Sequence, residues 1–352
     1  MEQNTMANNR IFYAVQAVGI GHSGVYPNSI GTNSADFEWM KGVQSVGITT
    51  NFNLEQVFEL GQLGIYQNVD NVPEVEITLE KVIDGNKLLY LQCVGTTGKT
   101  NLVDASTKAC NVYLAIYPDT NINSTGNGIQ GLVFCSGMRL NNVSYNFSID
   151  GNAKESVTLQ GFDKYWLNPT GYSLPTVFGG NTPNAGALSP SGATVVRRQN
   201  VQFGVGKTEV PATVAARIRG ATGNIQSIAI AADFKRDNIF ELGAYRPYTK
   251  YTQFPIQITA EYQVISLSGD YVDASGYQPR ITTADETIKV MASTDQSGDS
   301  TGVFLNLGFK NRLQSVNYTG GDTGGGNATT TYSYVTFNDF LVTDTGTYWT
   351  GS

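Results

Sequence analysis

A single histidine, His22, stands in a chain of 352 residues. Histidine-based metal sites and Ser/His/Asp or Cys/His triads would all depend on this one residue in a Gly-rich stretch, and nothing around it frames a base. Two Gly-Lys-Thr triplets occur, Gly98-Lys99-Thr100 and Gly206-Lys207-Thr208. The first glycine that a phosphate-binding loop requires falls at Cys93 in one and at Val201 in the other, so neither backbone can curl its N–H groups around a phosphate. Glu74 and Glu76 would sit on one face of a strand about 7 Å apart by strand rise, a spacing that glycoside chemistry could use. Glu80 continues that row, and the matching row in the second half reads Gln257, Thr259, Glu261, which favours a solvated acidic face. The expectation is a protein with no catalytic residues, no cofactor and no metal.

The remaining reactive groups are equally plain. Cys93, Cys110 and Cys135 cannot all pair and lack Cys-x-x-Cys spacing, so they read as reduced, buried thiols of a protein made in a cytoplasm. Asn142-Val143-Ser144 and Asn327-Ala328-Thr329 match glycosylation acceptors, but the opening MEQNTMANNR carries no apolar signal core. No run of about 18 apolar residues suggests a membrane helix. Charged residues make up 14% of the chain, and 22 basic against 29 acidic side chains give a net charge of −7. Specific gripping of a phosphate backbone needs a clustered basic surface and is disfavoured.

The elements that position these residues are organised by a repeat. Val43 to Pro73, VQSVGITTNFNLEQVFELGQLGIYQNVDNVP, lies over Ile225 to Pro255, IQSIAIAADFKRDNIFELGAYRPYTKYTQFP, at a constant offset of 182. Ten of the 31 positions are identical, among them Phe58-Glu59-Leu60-Gly61 against Phe240-Glu241-Leu242-Gly243. Three further pairs, Val43/Ile225, Val46/Ile228 and Val57/Ile239, exchange one aliphatic side chain for another. A weaker match aligns RLNNVSYNF, from Arg139, with RLQSVNYTG, from Arg312. The chain is a tandem duplication, read as domains at 10–170 and 194–352 joined by a Gly/Pro-rich linker at 171–193.

Within each copy the period is two. Val46 and Ile48 alternate with Ser45, Gly47, Thr49 and Asn51; Val75, Ile77 and Leu79 with Glu74, Glu76, Thr78 and Glu80; Val143, Tyr145 and Phe147 with Asn142, Ser144, Asn146 and Ser148. This is the pattern of half-buried antiparallel strands. Asp150-Gly151 between two alternating runs signals a hairpin. The stretch from Phe52 to Val72 is long for a connection, and Asn53-Leu54-Glu55-Gln56 resembles a capping box, so a short helix through Phe58 is expected there. Its Phe-Glu-Leu-Gly motif either packs a helix on its own sheet or makes an intersubunit contact.

The block from Val43 to Gly85, followed by the hairpin LNNVSYNFSIDGNAKESVTLQGFDKYW, resembles the virion structural proteins that form the tail tube of long-tailed bacteriophages. The resemblance covers most of the first copy and, more faintly, the second. It implies an all-β fold with minor helix: two tandem tube-like domains, each of two packed antiparallel sheets with a flanking short helix. It also implies a virion component that self-assembles into stacked rings, whose strands line a hollow channel for viral DNA ejection. Many tube proteins have one such domain per chain. Two per chain favour a trimer with pseudo-six-fold symmetry, with a true hexamer as the alternative. Partners would be further copies of the chain, other tail proteins, and viral DNA passing without specific binding.

The physical reading agrees, since sliding DNA should meet a wall that repels phosphate weakly and offers few cations. The expected lumen-facing residues are Ser45, Thr49, Asn51, Glu74, Glu76, Thr78, Glu80, Ser144, Asn146 and Ser148, with Ser227, Asp233, Thr259 and Glu261 in the second copy; the competing placement is the outer surface. The expected assembly interface is Phe58, Glu59, Leu60 and Gly61 with Phe240, Glu241, Leu242 and Gly243. Two other classes compete: a β-sandwich decoration or fibre module that binds glycan or protein, and a β-rich glycan hydrolase.

Overall fold

Alternating sequence becomes antiparallel sheet, and the described residues form an all-β fold with two short helices. The structure is a computed structural model that describes residues 11, 16–21, 37–95, 100–117, 131–167, 195–198, 201, 208–209, 225–266, 289–293, 302–308, 310–321 and 326–343. His22, the Gly-Lys of both Gly-Lys-Thr triplets and the expected linker at 171–193 lie outside the described residues.

The first copy contributes β1 (Gln16–Gly21), β2 (Phe37–Trp39), β3 (Val43–Asn51), β4 (Leu54–Phe58), β5 (Ile65–Asp70), β6 (Glu74–Val82), α1 (Leu89–Val94), β7 (Thr100–Asn101), α2 (Leu102–Thr107), β8 (Cys110–Ile116), β9 (Gly131–Ser148), β10 (Lys154–Gly161) and β11 (Asp163–Leu167). The second contributes β12 (Thr208–Glu209), β13 (Ile225–Asp233), β14 (Arg236–Ile239), β15 (Thr249–Thr252), β16 (Gln257–Ile265), β17 (Lys289–Ser293), β18 (Gly302–Asn306), β19 (Arg312–Thr319), β20 (Thr329–Phe337) and β21 (Leu341–Thr343). Among these residues no helix is long and apolar enough to cross a membrane.

The main sheet runs β3-β6-β10-β9-β13-β16-β20-β19. Its first four strands belong to the first copy, its last four to the second, and the order within each copy is the same. The join is β9 against β13, with Ser148↔Ser227, Asn146↔Ala229, Ser144↔Ala231 and Asn142↔Asp233. The copies are therefore fused edge to edge in one sheet.

Each copy adds a second layer. The long β9 serves both layers: its first half pairs with β8 and β11, its second half with β10 and β13. The change of direction falls near Gly137, whose φ of +63° favours glycine. In the second copy β12-β17-β18-β21 form the corresponding layer, completed by β7 of the first. Val75, Ile77, Leu79, Val143, Val157 and Leu159 share one continuous core with Ile228, Ile230, Ile258, Tyr334 and Val342.

One feature contradicts the sequence expectation. Residues 53–58 form no helix: β4 pairs with β5, and the hairpin projects with every residue of both strands exposed. Asn53 has φ +45°, outside the extended region an N-cap needs, and its Nδ2 donates to Val72 O at 3.2 Å. The side chains that follow, Val57, Ile65, Tyr66 and Val69, prefer strand. The second copy repeats the device, with Lys235 at φ +42° and β14 paired with β15. Phe-Glu-Leu-Gly is the start of the turn. Gln62 N–H donates to Glu59 O, Ala244 N–H donates to Glu241 O, and Gly61 and Gly243 both hold φ +90°, as a type II turn demands.

The two helices lie elsewhere, both in the first copy. Helix α1 is wholly buried and closes on Gly95 in the left-handed conformation. Its N-cap, Leu88, supplies no side-chain bond. Glu155 of β10 takes that role, accepting from Leu89 N at 2.7 Å, Tyr90 N at 3.0 Å and Tyr145 Oη at 3.0 Å. Burial raises the pKa of Glu155, and these donors together with nearby Lys81 oppose the rise. Glu155→Ala leaves three buried donors unmatched and should cost about 2–4 kcal/mol by chemical denaturation at neutral pH. Because the folded pKa is raised, the contribution of this carboxyl is largest below its unfolded pKa and fades as pH climbs through the folded one. Glu155→Gln removes this titration, so its stability relative to wild type should rise as pH climbs from the unfolded to the folded pKa of this carboxyl.

Candidate functional site

The two faces of the main sheet differ sharply. Along β6, Val75, Ile77, Leu79 and Lys81 are buried, while Glu74, Glu76, Thr78 and Glu80 are exposed or half-buried. Register carries that polar face from strand to strand: Ser45↔Glu80, Glu80↔Ser156, Ser156↔Ser144, Ser144↔Ala231 and Ala231↔Thr259. A second row runs Lys154↔Asn146, Asn146↔Ala229, Ala229↔Glu261 and Glu261↔Ser333.

Ser45, Thr49, Asn51, Glu74, Glu76, Thr78, Glu80, Ser144, Asn146, Ser148, Ser227, Asp233, Thr259 and Glu261 all lie on this one face. The same face also holds residues the sequence expectation omitted, among them Lys154, Ser156, Thr158 and Gln160 on β10, Thr331, Ser333, Val335 and Phe337 on β20, and Ser315 and Asn317 on β19. The alternation of Glu155 to Phe162 was the signal for the first group. The carboxylates Glu74, Glu76, Glu80, Asp233 and Glu261 outnumber the cations. Lys154 is paired at 2.8 Å with Glu80, and Lys250 at 2.8 Å with Glu74.

The second surface is the pair of hairpins. Leu60 is 103% exposed, Leu63 105% and Leu242 105%, so the turn motif packs on no sheet. The hairpins nevertheless differ in their surroundings. The second, β14–β15, is seated on the first copy. Tyr245 Oη donates to Asn71 O at 2.9 Å, Arg246 pairs with Asp163 at 2.8 Å, and Lys250 also donates to Gln160 at 3.2 Å. Lys250 is 3% exposed and stands 4.9 Å from the centre of the Phe162 ring.

Arg236 anchors the base of this hairpin by donating to Leu140 O, Ser106 O and Thr252 Oγ1, each at 2.7 Å. Burial, with Arg139 nearby, lowers its pKa to about 10, which leaves it charged at neutral pH. Phe234, beneath Arg236, is fully buried, whereas its counterpart Phe52 in the first copy is 64% exposed.

The thiols Cys93, Cys110 and Cys135 are buried and free. Burial raises the pKa of Cys135 to about 12, and a hydrogen bond with Cys110 raises that of Cys93, so both are poor nucleophiles. No group of three or more metal-ligating side chains occurs among the described residues.

The docking of the second hairpin is open to direct test. Lys250→Met removes a buried cation from between Glu74 and Gln160 and should destabilise this contact by roughly 1–3 kcal/mol. Hydrogen exchange should show faster opening of 236–252 and little change in β16 or β20. No protein-family model matches the chain, and no curated protein matches it either.

Proposed function

We propose that the chain is a structural subunit of a bacteriophage tail tube: copies join side by side into rings, the rings stack, and viral DNA passes through the weakly acidic lumen into the host. The single observation that carries this reading is the head-to-tail repeat of strand order in the main sheet. β13 of the second copy pairs with β9 of the first; β3 and β19, their counterparts, are left at the two edges. An interface of this kind uses two different surfaces, and repeating it by rotation gives closed rings. Edges of nine and eight residues, unpaired among the described residues, are an aggregation liability in a monomer and an assembly surface in a ring.

Three chains would supply about 24 strands, and strands about 4.8 Å apart, tilted as barrels require, make a wall roughly 45–50 Å across. That is wide enough for duplex DNA. With the polar face inward, the DNA meets Ser, Thr, Asn, Gln and Ala, a surplus of carboxylates, and Lys154 already paired with Glu80. A surface of this composition has few groups to bind phosphate and slow its passage. The buried face is covered by the second layers and the helices and suits the outside of the wall. The protein's place is then the virion tail, with other tail proteins at the ends of the tube, and it has no enzymatic role.

Purified chain examined by negative stain should form hollow filaments whose averaged cross-sections have three-fold symmetry. Six chains per ring would overturn the pseudo-six-fold count, and a persistent small species that binds glycan or protein would favour a decoration module. A map with the polar face of the sheet outward, or with a basic lumen, would overturn the channel assignment.

A further inference from the structure

The joint between the two copies is a complete interface, and the two edges of the main sheet carry counterparts of both of its halves. We infer that a second copy of this chain adds to the sheet by repeating the β9–β13 joint at β19–β3, and that side-chain charge sorts which hairpin sits in which seat. This inference rests on the tube reading and specifies the partner surface at residue level.

The register follows from equivalences within the chain. β3 and β13 correspond at an offset of 182, while β6 and β16 correspond at 183, Glu74 matching Gln257. Ser156 pairs with Glu80 and Ser144, and Thr331 pairs with Gln263 and Asn317, so Asn317 is the counterpart of Ser144. The pair Asn142↔Asp233 is thus repeated as Ser315↔Asn51, Ser144↔Ala231 as Asn317↔Thr49, and Asn146↔Ala229 as Thr319↔Gly47.

 Asp233, Ala231 and Ala229 on β13 thereby correspond to Asn51, Thr49 and Gly47 on β3, facing Asn142, Ser144 and Asn146 in one joint and Ser315, Asn317 and Thr319 in the other.

Burial marks the same edges as incomplete. Phe234 is 0% exposed and its N–H donates to Asn141 O at 2.8 Å; its counterpart Phe52 is 64% exposed, and the counterpart acceptor is Gln314 O. Tyr145 is 1% exposed, while Tyr318, which corresponds to it on the free edge, is 47% exposed. Ile228 and Ile230 are fully buried, whereas Val46 and Ile48 are only half-buried.

The seats of the two hairpins differ in charge. In the joint within the chain, Lys250 meets Glu74 and Arg246 meets Asp163. The counterparts on the free hairpin are Asn68 and Gly64, and those in the free seat are Gln257 and Asn338. Both partners of each ion pair are therefore replaced by uncharged residues together. A second hairpin placed in the free seat would bury Lys250 against an amide with no counter-ion, and a first hairpin placed on the seat of the first copy would leave Glu74 without its cation. Unmatched charges of this kind reject a wrong partner more strongly than matched ones reward the right one. The free hairpin is thus directed to the second copy of a neighbouring chain, which keeps every joint head to tail.

The test uses the full-length chain. Asn68 is exposed, so Asn68→Lys should leave the monomer folded, with unchanged thermal unfolding of the unassembled chain. It should raise the concentration needed for filament formation about tenfold or more, because the lysine is buried on assembly without a counter-ion. Adding Gln257→Glu to the same chain should restore assembly and make it sensitive to salt. Separately, Thr49→Cys combined with Asn317→Cys should give chain-to-chain disulfides in filaments under mild oxidation, and Thr49→Cys with Ser333→Cys should not. If wild type forms filaments and Asn68→Lys forms them equally well, or Gln257→Glu gives no rescue, or the Thr49/Asn317 pair does not link, the seam assignment is overturned while the tube reading stands. If wild type does not self-associate at all, both fall.

Discussion

Because β13 hydrogen-bonds along β9, the two copies cannot behave as beads on a string. That pairing fixes the direction of every later strand, aligns the polar rows across the junction and merges two cores into one. It also places the second hairpin over the first copy, where Lys250 and Arg246 find Glu74 and Asp163. β9 can do this because it is 18 residues long and divided by function: its first half builds the second layer with β8 and β11, and its second half carries the joint. Side-chain alternation on that second half is consistent for the same reason. A one-residue slip would turn Val143, Tyr145 and Phe147 out of the core and bury Asn142, Ser144 and Asn146 in their place.

The interior of the first copy is organised around charge as well as around apolar packing. Glu155 closes the start of α1, and Lys81 holds Asp84 at 2.6 Å with both side chains almost fully buried. Asp84 in turn accepts from Asn86 N and Nδ2. A buried pair of this kind is weak evidence for added stability, since its desolvation cost is large. What it does is restrict geometry: Gly42, at φ +79°, lies so close to Asp84 that a Cβ there would press on the carboxylate. The chain entering β3 is thereby held against the end of β6. The edge strand β3 is fixed at the end where it enters the sheet.

Much of this was readable from the residues, because burial on one face imposes period two and the duplication supplies a second reading of the same pattern. The polar face could be assembled strand by strand from Ser45, Glu76, Asn146 and Thr259 without coordinates. The hairpins could not. Asn53-Leu54-Glu55-Gln56 has the composition of a helix start, and only the left-handed backbone at Asn53, matched by Lys235, shows that the chain turns back as strand. Nor could sequence reveal that the copies share a sheet: β9 and β13 lie far apart in the chain, and the residues that meet on the polar face there, Ser144 with Ala231 and Asn146 with Ala229 among them, have no individual preference for one another. The exchange of Lys250 and Glu74 for Asn68 and Gln257 was present in the repeat all along, but it has meaning only once the first pair is seen in contact.

The shared sheet has a kinetic side. In a ring built from single-domain subunits every joint must form by an encounter between separate molecules, each carrying the entropic cost of association. In a ring of this chain half of the joints would already be formed when the chain folds, because the two partners of the β9–β13 joint are held on one polypeptide at high effective concentration. Under the tube reading, fewer independent collisions close a ring, and the partly built rings are fewer in kind. Each such intermediate has only two open edges, and the duplication makes those edges different from the joint already closed. Under that reading growth is separated from folding within a single sequence, and the rate at which tubes start can be tuned at the open joint without weakening the one that holds the subunit together.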